Sequence, residues 1–211
     1  MNKFQIISLI SIALLTSQCN QYRTKEDSHK VEKVAKEKEI TLSSEELAKY
    51  TEKGFEYVMQ TKGALGKNLM GTITKEGTVA ALSFCNKKAY PLTDSVANIL
   101  NVQIKRVSDK NRNPKNKANT VELAYIEKIK THINLGEKPK PYTIEKEDKI
   151  LSYYPIMTNG MCMQCHGKSN EEILPNTLAK LNELYPEDKA QGYGINELRG
   201  IWVVEMNKRL K

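Results

Sequence analysis

Residues Cys162-Met163-Gln164-Cys165-His166 form a C-x-x-C-H pentapeptide, and that spacing has a specific chemical use. Two thiols separated by two residues can add to the two vinyl groups on one porphyrin edge, and the imidazole of the next residue then reaches the iron. The pattern points to one covalently attached c-type haem, with His166 as its proximal ligand. The chain holds four Cys and three His among 211 residues, and three of them fall in this one pentapeptide. Two other chemistries use a close cysteine pair. A reversible disulfide between Cys162 and Cys165 has no need of the histidine. A zinc centre needs another Cys or His, and adjacent Cys and His side chains rarely reach one tetrahedral metal without strain.

Covalent haem attachment takes place outside the cytoplasm, so an export signal is the independent check. Lys3 supplies a short positive start, Phe4 to Leu15 is nearly continuous apolar sequence, and Thr16-Ser17-Gln18 leads to Cys19. This reads as a lipoprotein signal peptide over residues 1–18, with Cys19 as the first mature residue and the site of lipidation. Gln18 stands where Gly, Ala or Ser is usual. A plain cleaved signal and a retained N-terminal anchor are the alternatives, although the apolar stretch is short for a full span.

Residues 19–41 alternate Lys, Glu, Asp and Arg with little apolar content and read as a charged tether. His29, within it, reads as solvated. The expected location is therefore outside the cytoplasm, lipid-anchored to a bacterial membrane, with the domain in the periplasm or on the cell surface. The formal charge of +8 favours acidic partners or anionic headgroups. Nucleic acid is excluded, because no basic run is interleaved with aromatics and the compartment is wrong.

Residues 42–211 are expected to form one domain. Ser43 and Glu46 make a capping box, and Leu42 with Leu47 has the spacing of a hydrophobic staple, so a long helix should run to about Leu69. A second helix is expected from Thr78 to about Tyr90, stopping at Pro91. Gln103–Val107 reads as a strand, and Asp109–Asn119 as an Asn- and Lys-rich loop. Thr120 is expected to cap a helix to about Ile133. Tyr142–Glu145 and Lys149–Met157 read as hairpin strands, Glu171–Leu184 as a helix interrupted by Pro175, and Gly200–Met206 as a closing strand. The order gives an α+β fold with helices first and an antiparallel sheet later.

With Cys19 lipidated and Cys162 and Cys165 holding haem, Cys85 has no partner. A lone thiol in an oxidising compartment is either buried as a small hydrophobe or has a task, and the task here would be sulfur ligation on the distal face of the haem. His132, Met59, Met70, Met157, Met161, Met163 and Met206 are the other candidates. Most of them read as core or surface residues at helical and strand positions, and Met161 and Met163 flank the attachment site too closely to reach the far face.

The series Arg106-Val107-Ser108, Arg112-Asn113-Pro114-Lys115-Asn116, Cys162 to Gly167, Tyr185-Pro186-Glu187-Asp188-Lys189-Ala190-Gln191-Gly192-Tyr193 and Arg199-Gly200 resembles the PAS-like c-type haem domain family, in consistent order from about Leu47 to Met206. Ile195-Asn196-Glu197 departs from it, where the family tends to have a Gly-Asp pair. The resemblance implies a PAS-like antiparallel sheet packed against long N-terminal helices. It also implies that Cys85, in the context Ala80-Ala81-Leu82-Ser83-Phe84-Cys85, ligates the iron opposite His166. A thiolate donor stabilises ferric over ferrous iron, and Lys87, Lys88 and Arg106 are candidates to hold its charge. Members include stand-alone haem proteins and periplasmic sensor modules.

Three function classes follow. A redox or gas sensing module, with a diatomic gas as further ligand, is favoured by the family; with no output domain before Lys211, it would signal through a separate redox or signalling protein. A monohaem electron-transfer lipoprotein is the alternative, consistent with the basic charge. An enzyme such as a peroxidase is disfavoured, because no distal acid–base pair stands out.

Overall fold

A computed structural model describes residues 42–208. The signal, Cys19, the tether and His29 lie outside the described residues. Helix α1 spans Ser44–Leu100 and opens with the expected box: the Ser43 side chain accepts from the Glu46 N–H, and the Glu46 carboxylate accepts from the Ser43 N–H. Within α1, Gly77 breaks helical geometry at φ 85° and ψ 174°, a conformation nearly closed to side-chain-bearing residues. The chain doubles back there. Tyr50, near the start of α1, bonds the Lys208 carbonyl, and Asn98, near its end, shares a small cavity with Asn207. Both ends of the element therefore meet the same end of the sheet.

The second limb runs on past Pro91 to Leu100 and ends at Asn101 in the left-handed region. The expected stop at Pro91 does not occur. The Pro91 ring and Lys87, whose carbonyl loses its helical donor, are both exposed, so water can satisfy that group. Meanwhile Ala89, Thr93 and Ala97 are buried on the other face and hold the helix in place.

Four strands follow: β1 (Gln103–Val107), β2 (Tyr142–Lys146), β3 (Lys149–Met157) and β4 (Leu198–Asn207), in the order β1-β4-β3-β2, all antiparallel. Strand alternation divides the core. Ile104, Ile150, Tyr154, Trp202, Val204 and Met206 pack against α1, whereas Val107, Tyr153, Ile201 and Val203 pack against helix α2 (Thr120–Asn134). The cap of α2 is Asn119, which forms a box with Glu122, rather than Thr120. Thr120 is instead the first helical residue. Gly200 (φ 156°) leaves no room for a side chain, since a Cβ there would sit 2.4 Å from the Val107 carbonyl oxygen.

The motif forms the short helix α3 (Met163–His166), and helix α4 is Pro175–Leu184. Pro175 starts this helix at its first position, where no N–H donor is needed, instead of interrupting one begun at Glu171. The α+β class and the antiparallel sheet with a long helical N-terminal element are as expected.

Candidate functional site

The pentapeptide hangs from the end of β3. A register shift between Ile156 and Met157 precedes the last pair, Met157 with Leu198, and Thr158 ties the exit to the start of β4 by donating to the Gly194 carbonyl while accepting from the Glu197 N–H. The Asn159 side chain then caps the 3-10 turn Gly160–Cys162 by accepting from the N–H groups of Met161 and Cys162. The two cysteines thus leave a turn and enter a helix within four residues. Cys162, Cys165 and Cys85 form no disulfide.

Above the motif lies a cleft of about 410 Å³, within the range typical of ligand sites. Cys162, Cys165 and His166 line one side of it, and Cys85 lines it from the second limb of α1. Leu82, one turn before Cys85, is buried with Ile173, Leu181 and Tyr185, and Cys165 packs on the same cluster. That contact sets the rotation of the limb, and residues three apart share a helix face. Thr78 at the hairpin bend donates to the Gln164 side chain at 2.7 Å, fixing the limb to the motif itself. The first limb contributes Gly66, where an added Cβ would meet nothing within 4 Å. The cleft is therefore open on the side of the first limb, and a histidine and a cysteine both line it.

His166 is half-buried and presents the neutral ring a metal ligand needs. Its Nδ1 lies 2.7 Å from the Ala190 carbonyl. A carbonyl cannot donate, so the proton sits on Nδ1 and the Nε2 lone pair is free. Arg199 Nε, 3.3 Å from the same nitrogen, contributes charge there rather than a bond. Burial first, then the positive charges of Arg112 and Arg199, hold the imidazole well below its ordinary pKa. Burial likewise pushes the Cys165 thiol up to about 11 and raises the Cys85 thiol, against the opposing pull of Arg106 and Arg112.

The Ala190 carbonyl is held in turn. Asp188, 2% exposed, pairs with Arg112 at 3.0 Å and accepts from the Ala190 N–H at 2.8 Å. Arg112 also donates to the carbonyls of Cys165 and Ala190. The Tyr193 ring stands edge-on to His166, and its N–H donates to the His166 carbonyl. Sequence reasoning assigned no role to Arg112, Asp188 or Ala190. Their only trace was that they fall inside the segments carrying the family resemblance.

Other sequence candidates lie elsewhere. His132 bonds Glu137 at 2.7 Å beside a separate cavity under Pro139. Met59 is exposed, Met206 and Met163 are buried in separate clusters, and Met157 packs beneath α2. Met70 and Met161 do line the cleft, and so does Arg106; Lys87 and Lys88 are exposed and do not. Among the described residues no three His, Cys, Asp or Glu side chains converge as a metal ion bound by protein alone would require.

An α+β domain with a cysteine- and histidine-lined cleft between a helical hairpin and the exit of a sheet is the class these features define. The chain belongs to the Tll0287-like family, whose model matches residues 25–207. Among solved structures it is similar to the crystal structure of the cyanobacterial heme-protein Tll0287, with a TM-score of 0.55 and 21% identity over 81% of this chain and 99% of that one. At that identity the likeness is one of fold. No curated protein matches the chain.

Proposed function

We propose that this chain is an exported, lipid-anchored c-type haem protein with a PAS-like domain, working as a redox or gas sensing module. The observation that carries the proposal is the gathering of Cys162, Cys165, His166 and Cys85, from two distant segments, around one cleft. Cys162 and Cys165 would hold haem through thioethers, and His166 and Cys85 would bind the iron. Bound there, the haem supplies one-electron redox chemistry and an iron site for a small gas.

The chain's own residues supply the rest. The Ala190 carbonyl keeps the His166 tautomer, and the Arg112–Asp188 pair keeps that carbonyl in place. Leu82 sets the height of Cys85, and the buried cluster around it excludes water from that wall. Cys85 sits on a limb whose only covalent link to the first limb is the bend at Gly77. Cys85 would thus meet the haem from an element separate from the one that carries His166. The hairpin would then be coupled to the state of the site through Cys85.

Purified protein tests this directly. A pyridine haemochrome spectrum of the c type, with haem retained in acid acetone, is the expected result; complete extraction of the haem would overturn it. Absorption and resonance Raman spectra of the Cys85→Ala variant should then keep covalent haem but lose the ferric thiolate signature, with a raised reduction potential and new binding of carbon monoxide. A wild-type spectrum in that variant would remove Cys85 from the iron. A ferrous wild type inert to carbon monoxide would favour the electron-transfer reading, which the basic charge supports.

A further inference from the structure

Three arginines line the cleft, and they differ in how they are satisfied. Arg112 is paired with Asp188 and two carbonyls. Arg199 donates to Ser108 at 2.9 Å and to the Lys110 carbonyl at 3.1 Å. Arg106, half-buried on β1, lies over the Trp202 ring at 5.2 Å, and among the described residues it meets no carboxylate and no hydrogen-bond acceptor. Its five N–H donors are thus left without a protein acceptor among the described residues.

The loop after β1 places two further donors on the same cleft. Asn116 Oδ1 accepts the Tyr90 hydroxyl, which turns its amide so that Nδ2 is left over. Asn113 Oδ1 accepts the Lys115 N–H at 3.0 Å as the cap of the 3-10 turn, and again Nδ2 has no acceptor among the described residues. A guanidinium and two amide groups, all short of acceptors and all lining one cleft, form a receptor for a carboxylate, whose two oxygens offer about four lone-pair sites.

We propose that Arg106, with Asn113 and Asn116, binds a propionate carboxylate of the haem. The assignment rests on the proposed haem binding and adds to it the orientation of the ring. Haem carries its propionates on the edge away from its vinyl groups. In this chain the donors lie on β1 and the loop that follows it, whereas the two thiols lie on the turn and short helix after β3. The donors and the thiols thus reach the cleft from different segments, as groups on the two edges of one planar ligand would require. The competing anion is a Cys85 thiolate, since Cys85 lines the same cleft as Arg106. A sulfur bound to iron has little left to offer three N–H-bearing groups, and a carboxylate matches them.

The test uses full-length holoprotein with Arg106→Gln, Arg106→Lys and Asn116→Leu, each also made in a Cys85→Ala background. Arg106→Gln should keep wild-type haem content, lower the reduction potential, and shift the propionate bending mode in resonance Raman. Arg106→Lys should recover most of the potential but not the mode, because a point charge replaces a planar fork. Asn116→Leu changes no charge and should move the mode alone. All three shifts should persist without Cys85. Shifts that vanish in the Cys85→Ala background would assign Arg106 to the thiolate instead, and unchanged potential and mode with only lowered thermal stability would reduce it to packing. Absence of covalent haem from the wild type would overturn the underlying reading itself, a failure plainly distinct from these.

Discussion

Asp188 shows how a single side chain can govern a histidine it never touches. Its carboxylate is 2% exposed and accepts from Arg112, from the Ala190 N–H and from the Gln191 side chain at 3.0 Å. Removing one partner of a buried ion pair strands the other charge, so Asp188→Ala should cost about 3–5 kcal/mol of stability in urea unfolding. Asp188→Asn should cost less, because it still accepts from the Ala190 N–H. A loss below about 1 kcal/mol, the range of an exposed pair, would mean that water reaches Arg112. Cys162, Cys165 and His166 are legible as candidates from type and spacing, because C-x-x-C-H is local. Arg112 and Asp188, far apart in sequence, carry no such spacing, and only the fold brings them together beneath His166.

At the scale of elements, α1 turns on one glycine. Gly77 has φ 85° and ψ 174°, and its neighbourhood is open, so an alanine there meets backbone strain rather than a clash. Gly77→Ala should cost about 1–3 kcal/mol. Gly63, in the same helix and with nothing within 4 Å of an added Cβ, is an ordinary helical glycine, and Gly63→Ala should stabilise by about 0.5–1 kcal/mol. Thermal unfolding of the two variants should therefore move in opposite directions; equal shifts would mean that the limbs are not joined by a strained bend. The helices and strands were legible because their periodicities and caps are local. The two prolines misled for a shared reason: Pro91 and Pro175 both look like breaks, yet one faces solvent on a helix anchored by buried Ala89 and Ala97, and the other opens a helix. Which face a proline presents is set by tertiary packing. The hairpin was hidden likewise, since the positive φ of Gly77 looks in sequence like any of the helix's other glycines.

At the scale of the whole molecule, the proposed attachment to a membrane needs a physical basis. Among the described residues no helix is long and apolar enough to cross one. Two routes remain to argue between: lipid on Cys19, as proposed from the signal-like residues 1–18, and adhesion of a basic chain, +8 overall, to anionic headgroups. They differ in salt response. Electrostatic adhesion is screened once the Debye length shrinks to about 3 Å at 1 M salt, whereas two or more acyl chains, at about 0.8 kcal/mol per buried CH₂, are indifferent to it. Wild-type protein should therefore stay with membranes through a high-salt wash, and mass spectrometry should find an acylated Cys19 at the mature N-terminus. Cys19→Ser should leave haem attachment intact, because Cys162 and Cys165 are untouched. Membrane retention of Cys19→Ser through the same wash, with residues 1–18 still present, would replace the lipid with an uncleaved anchor, and release of the wild type by salt would leave charge alone as the tether.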